Sequence, residues 1–184
     1  MRYPKECVLK ECEEAIIRPL DTGDAEHLAD FYQHIPIEDR WFMSYDVTDS
    51  NVVKKRFDGM AAGEITSIIA LCCDKIVGQG TLYKQMFGAT RHVGRFRILV
   101  LPEFRKKRLG TWLLLDLIQL AMDEGLEMLR TDLVVGIESA AIEAVQKFDF
   151  FRRSVLKNYV KDINGNRHDL IIMVKRLQQE WSDY

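Results

Sequence analysis

The sequence has little of what announces metal, redox or covalent chemistry. Its four cysteines, Cys7, Cys12, Cys72 and Cys73, form no Cys-x-x-Cys pair, and His27, His34, His92 and His168 supply no metal-spaced partner for them. No metal is expected, and the thiols read as free and buried. No Ser/His/Asp or Cys/His nucleophile motif appears. No uninterrupted apolar run approaches the ~20 residues of a membrane span, and residues 1–6 lack the apolar stretch of a signal peptide. A cytoplasmic location without a membrane partner is the default expectation. Repeats and low-complexity tracts are absent too. At 47% hydrophobic and 29% charged residues the composition is that of an ordinary globular chain, which excludes wholesale disorder, collagen and coiled coil.

What is present is one domain's worth of chain. The 184 residues suffice to bury a core without staples. Residues 1–12 read as a polar lead-in, 13–178 as the domain and 179–184 as a tail. Net charge is −2, so the protein as a whole is no polyanion binder. Locally the balance is different: Arg91, Arg95, Arg97, Arg105, Lys106, Lys107 and Arg108 face only Glu103 between positions 91 and 108.

Periodicity gives the element order. A short apolar run at 15–20, ended by Pro19, suits an edge strand or a strand end. Residues 24–34 repeat at helical spacing after the capping chemistry of Asp21 to Asp24, and Pro36 breaks that helix. Asp49 and Ser50 cap a second helix through Val52, Val53, Phe57 and Met60. Strands follow at 65–73 and 76–85 around an Asp74-Lys75 turn, then at 93–101. Residues 109–124 form an apolar helix with Gly125 as its stop. A strand at 129–135, a helix at 139–148 and strands at 150–160 and 169–174 around Asn164-Gly165 complete the chain. This is an α/β (α+β) domain with a central mixed sheet of about seven strands flanked by helices. The strand-helix-strand unit over 93–135 implies a parallel pair with a right-handed crossover.

The chemistry concentrates where an apolar strand, Pro102, a basic loop and Gly110 run into that helix. A helix N-terminus with unpaired N–H groups beside four cations is an anion site, most suited to phosphate, and glycine lets a ligand approach the backbone. The segment from Arg105 to Gly110 resembles the acyl-CoA-binding signature, Gln/Arg-x-x-Gly-x-Gly/Ala, of the GNAT N-acetyltransferase superfamily. The element order is similar to that fold from Ile16 to about Leu177. The opening from Ile17 to Ala25 is similar to the family's first strand and helix start. Among its branches, the acetyltransferase domain of bacterial protein-lysine acetyltransferases is the nearest in pattern.

The resemblance implies acetyl-CoA as co-substrate. Backbone groups of Leu99, Val100 and Leu101 would hold the pantetheine arm. Arg105, Lys106, Lys107, Arg108, Leu109, Gly110 and Thr111 would hold the pyrophosphate. The partner would be an amine, on a small molecule or a protein lysine, that attacks the thioester directly. The sequence departs from the family pattern at three places. Arg108 stands at the first motif glycine, Arg95 where many members place a general-base Glu, and Val145 and Asp149 replace the Tyr and Gly of a Tyr-x-Lys-x-Gly-Phe segment. Glu138 is the candidate base, with Glu38 and Asp39 behind it. His92 and His168 read as structural. Trp41, Phe42 and Tyr45 are either core or a wall of the acceptor pocket. The alternatives are a non-catalytic acyl-CoA-binding sensor and a nucleic-acid binder. Net charge disfavours the latter, so no nucleic-acid partner is expected. A homodimer is left open.

Overall fold

The computed structural model describes residues 3–10 and 14–177. They form an eight-stranded sheet in the order β1-β2-β3-β4-β5-β6-β8-β7. The strands are β1 (Lys5–Val8), β2 (Glu14–Pro19), β3 (Ile65–Cys72), β4 (Lys75–Tyr83), β5 (Val93–Val100), β6 (Met128–Val134), β7 (Phe151–Lys161) and β8 (Arg167–Arg176). The helices are α1 (Ala25–His34), α2 (Ile37–Arg40), α3 (Ser50–Ala61), α4 (Leu109–Asp123) and α5 (Ser139–Gln146).

The eighth strand is β1, inside the segment read as a lead-in. It pairs antiparallel with β2 and takes the edge, so β2 is an inner strand, and Pro19 stands at its end, the other of the two places expected for it. Its Lys5 ammonium lies 2.7 Å from Asp116, a carboxylate only 1% exposed on α4. The expected tail at 179–184 and Cys12 lie outside the described residues. Of the described cysteines only Cys7 is buried. Cys73 is exposed in the β3–β4 turn, where Cys73 and Asp74 take φ of 49° and 60°. A residue in the two-residue turn beyond the strand ends points away from the sheet, so Cys73, and Cys72 in part, depart from the expectation of buried thiols.

Alternation along β4 sorts the helices onto two faces. Gly78 and Gly80 look at α4: a Cβ at either would come within 3.1 Å of Leu109, Leu113 or Leu117. The missing side chains let α4 seat its Leu109, Leu113, Leu114, Leu117 and Ala121 stripe directly on the sheet. Gln79 and Thr81 look the other way. Gln79 accepts from the Tyr32 hydroxyl of α1 at 2.8 Å, and Thr81 from Arg56 of α3 at 3.1 Å. Asp49 caps α3 as its sequence suggests, accepting from Asn51 N–H at 2.9 Å.

Candidate active site

β5 and β6 are paired only at their beginnings. Val93↔Met128, Gly94↔Leu129 and Arg95↔Arg130 are in register, yet β5 runs on to Val100 and β6 to Val134. Beyond Arg95 the parallel strands part, and each turns backbone groups to the gap. Leu101 N–H donates to Val77 O at 3.0 Å, on the β4 side. Because backbone groups alternate sides along a strand, those of Leu99 also face β4, while those of Ile98 and Val100 face the gap. Arg105 agrees with this, since its Nε–H reaches Val100 O at 3.0 Å. Of Leu99, Val100 and Leu101, Val100 is thus the residue whose polar backbone opens onto the gap. The Leu101 carbonyl is engaged as well, accepting from Phe104 N–H at 2.9 Å.

At the far end of β5 the basic loop delivers the chain to α4. Lys106 and Arg108 adopt left-handed φ of 61° and 72°. The left-handed geometry at Arg108 is the one for which glycine is the ordinary choice; here an arginine adopts it. Asp149, the other glycine substitute, also has a positive φ, 61°. Trp112 N–H makes the first i→i−4 bond of α4, to Arg108 O at 3.2 Å. The N–H groups of Leu109 and Gly110 therefore precede the ladder and point out of the helix end. A Cβ at Gly110 would meet nothing within 4 Å, so packing does not demand glycine and the space before the helix is open. Lys106 and Arg108 are exposed there, and the Lys107 ammonium sits 5.4 Å from the Phe104 ring centroid. Arg105 turns elsewhere. Besides Val100 it binds one oxygen of Asp39 of α2 at 2.6 Å, which makes this pair a stitch between α2 and β5.

On the α1/α3 face, beside the point where the strands part, lies a cavity of about 860 Å³. The α2–α3 connection lines it with Trp41, Phe42 and Tyr45. Trp41 Nε1–H donates to Lys161 O at 2.8 Å and ties that connection to β7. The floor carries Arg95, Arg97, Arg130 and Asp132. Asp132 accepts from Arg95 at 2.9 Å and from Arg130 at 2.7 and 3.0 Å. Glu138 also lines the cavity, but neither oxygen is free: one accepts from Arg97 at 2.6 Å, the other from Val134 N–H at 2.8 Å. Val145 is buried under α5 and faces the core. His168 lies 3.0 Å from Asp162 in the β7–β8 hairpin, a structural role as expected.

Sequence reasoning missed Arg56, Tyr83, Arg130, Asp132 and Tyr159, all of which line the cavity. For Arg56 a signal existed. It falls three residues after Val53 on the apolar stripe of α3, a charged residue at a core position. Among the described residues no group of His, Cys, Asp and Glu could hold a metal ion, and no helix is long and apolar enough to cross a membrane.

Residues 28–150 match the acetyltransferase (GNAT) family, and the chain belongs to it. No curated protein sequence matches the chain. Among solved structures, an N-acetyltransferase from Staphylococcus aureus Mu50 is similar with a TM-score of 0.77 at 20% identity, over 89% of this chain and 99% of that one. The acetyltransferase yncA from Salmonella typhimurium, solved with its cofactor acetyl-CoA, gives 0.77 at 18% identity over 91% and 96%. A ribosomal-protein-alanine N-acetyltransferase from Brucella melitensis gives 0.75 at 20% over 87% and 98%. At these identities the likeness is one of fold, and it does not single out the protein-lysine branch.

Proposed function

We propose that this member of the family moves an acetyl group from acetyl-CoA to a primary amine, on a small molecule or a protein lysine, by direct attack. The observation that carries the reading is the gap between β5 and β6, which joins an open, cationic helix end to a walled cavity. The open space at Gly110 fits a phosphate, and the exposed backbone of Val100 fits an amide-bearing arm. The N–H groups of the loop and first turn from Lys106 to Gly110 would hold the pyrophosphate, with Thr111 N–H donating to Arg108 O at 3.0 Å. When bound, acetyl-CoA supplies a thioester whose C–S bond breaks as the acceptor's N–C bond forms; the proton lost from nitrogen goes to solvent or to the thiolate.

The chain's own groups position and polarise. A gap-facing N–H on β5, at Ile98 or Val100, is available to the carbonyl oxygen as it gains charge. The arginines that line the cavity disfavour an ammonium near them, so an amine there loses its proton more readily. That offsets the lack of an unengaged carboxylate. The same engagement of Asp132 and Glu138, with Val145 buried, favours a second reading, a non-catalytic acyl-CoA sensor.

Acetyl-CoA at about 100 times its Kd should stabilise the fold by about 2.7 kcal/mol, a Tm rise of roughly 5–10 °C. Gly110→Asp meets no packing obstacle yet brings a negative charge to the phosphate position. It should weaken binding at least about tenfold in a folded protein. No Tm shift at millimolar acetyl-CoA overturns the reading, and binding without turnover over a broad amine panel moves it to the sensor.

A further inference from the structure

The cavity beside the gap is cationic, although the reacting group it would receive is itself an amine. Arg56, Arg95, Arg97 and Arg130 line it with Lys84, which is paired with Glu124 at 2.6 Å, and Lys161, against Asp132 and Glu138. Arg95 and Arg130 share Asp132, and Arg97 holds Glu138. Of the arginines, that leaves Arg56, which is only 6% exposed and forms no ion pair among the described residues. Its polar partners are hydroxyls, Thr81 Oγ1 at 3.1 Å and the Tyr83 OH at 3.4 Å, and its buried Nε has no partner. The rings of Tyr32 and Tyr83 lie 5.8 and 6.0 Å from the guanidinium carbon. They offer π faces, and Tyr32 stays a neutral phenol because burial pushes its pKa up to about 12.

A guanidinium taken out of water without a counter-ion costs several kcal/mol. A sequence that keeps one on the wall of a cavity departs there from the rules of core building. Such departures mark binding sites. The register gives the direction. Thr81 and Tyr83, the partners of Arg56, stand opposite Arg97 and Arg95 on β5. One strand spacing, ~4.8 Å, separates them from the strand that borders the gap.

We propose that Arg56 is the seat of an oxyanion carried by the acceptor, so that the substrate class is amines bearing a carboxylate or a phosphate. The oxyanion supplies the charge that Arg56 lacks, and the amine then lies toward the gap between β5 and β6. This rests on the acetyltransferase reading above.

The test compares matched amines: ω-amino acids of increasing length against their amides, aminoalkyl phosphates against the corresponding amino alcohols, and a lysine peptide. In the unaltered protein the anionic member of a pair should exceed its neutral partner at least about tenfold in kcat/KM. Which anionic series leads distinguishes carboxylate from phosphate. Arg56→Met should bring the ratio close to one while the Tm shift with acetyl-CoA persists, and Arg56→Lys should keep part of it. If Arg56→Met does not fold, Tyr83→Phe and the ratio in the unaltered protein remain. Equal or better use of the neutral amines or of the lysine peptide overturns the proposal. So does an unchanged ratio in folded Arg56→Met. So does the absence of both turnover and calorimetric binding of the anionic amines. A missing acetyl-CoA shift overturns the parent reading instead, and calorimetric binding of the anionic amines, lost in Arg56→Met, then reads Arg56 separately.

Discussion

Glu138 lines the cavity with each carboxylate oxygen accepting a hydrogen bond. One oxygen accepts from Arg97 and the other from Val134 N–H, so an incoming ammonium competes with both donors. Glu138 positions Arg97 across the mouth of the gap. Glutamine keeps an acceptor for that arginine, so Glu138→Gln should cost less than about tenfold in kcat/KM, roughly 1.4 kcal/mol. The rate should rise with pH toward the acceptor's own pKa, with no limb at about pH 6–7 set by a protein carboxylate. A bell-shaped profile, or a loss of about a hundredfold in the variant, would mean that Glu138 takes the proton. Arg108 supports a second prediction. Its φ of 72° carries a left-handed strain of roughly 1–2 kcal/mol. Arg108→Gly removes it and returns roughly 0.5–1 kcal/mol to the unfolded chain. The variant should melt about 1–4 °C higher. An unchanged or lower Tm would show that the arginine side chain compensates locally.

At the scale of elements, the β7–β8 hairpin links local turn chemistry to the cavity. Asn164-Gly165 was legible as a turn because its residues suit a positive φ, and Gly165 has one, 84°. The partner that organises it was not legible: Asp162 accepts from the N–H groups of Asn164 and Asn166 at 3.0 and 2.8 Å. The hairpin so fixed presents Lys161 O to Trp41. Trp41→Phe keeps a ring in the cavity lining and removes that bond, worth about 1 kcal/mol. The acceptor KM should rise roughly fivefold while the acetyl-CoA shift is retained; an unchanged KM would show that the α2–α3 connection is held by packing alone. Two elements escaped the sequence reading for physical reasons. β1 carries Lys5 and Glu6 in four residues, and what secures it is an ion pair to Asp116, 111 positions away. α2 is a single turn after Pro36, too short for a periodicity to show. The anion end of the site was legible because strand, loop and helix are contiguous. The cavity was not, because Arg56, Arg95, Asp132 and Tyr159 come from four elements that only the topology brings together.

Across the whole molecule, groups shifted in opposite senses set two pH edges to stability. On the acid side, the hydrogen bond from Arg18 holds Asp24 below the usual carboxylate range. His168, then Asn166, hold Asp162 at about 2. The folded state therefore binds fewer protons than the unfolded chain. This stabilisation is complete above about pH 4 and is lost as pH falls toward about 2. On the alkaline side, burial raises Tyr32 to about 12 and raises Tyr3 and Cys7 as well. Here the folded state retains protons that the unfolded chain releases. The part due to the phenols is intact below their ordinary value of about 10 and falls as pH rises toward about 12, while the Cys7 part begins to be lost above the ordinary thiol value of about 8.5. Tyr32→Phe isolates the contribution of one buried phenol to that edge. At about pH 7 it leaves the Gln79 Oε1 that the hydroxyl served without its donor, a loss of about 1–3 kcal/mol. Between about pH 10 and 12 it should lose less than the unaltered protein does, by roughly 2–3 kcal/mol for a two-unit shift. Urea midpoints at about pH 7, 10 and 11.5 read both effects. Parallel curves for the two proteins above about pH 10 would show that Tyr32 titrates as freely folded as unfolded, and would move the alkaline edge to Tyr3 and Cys7.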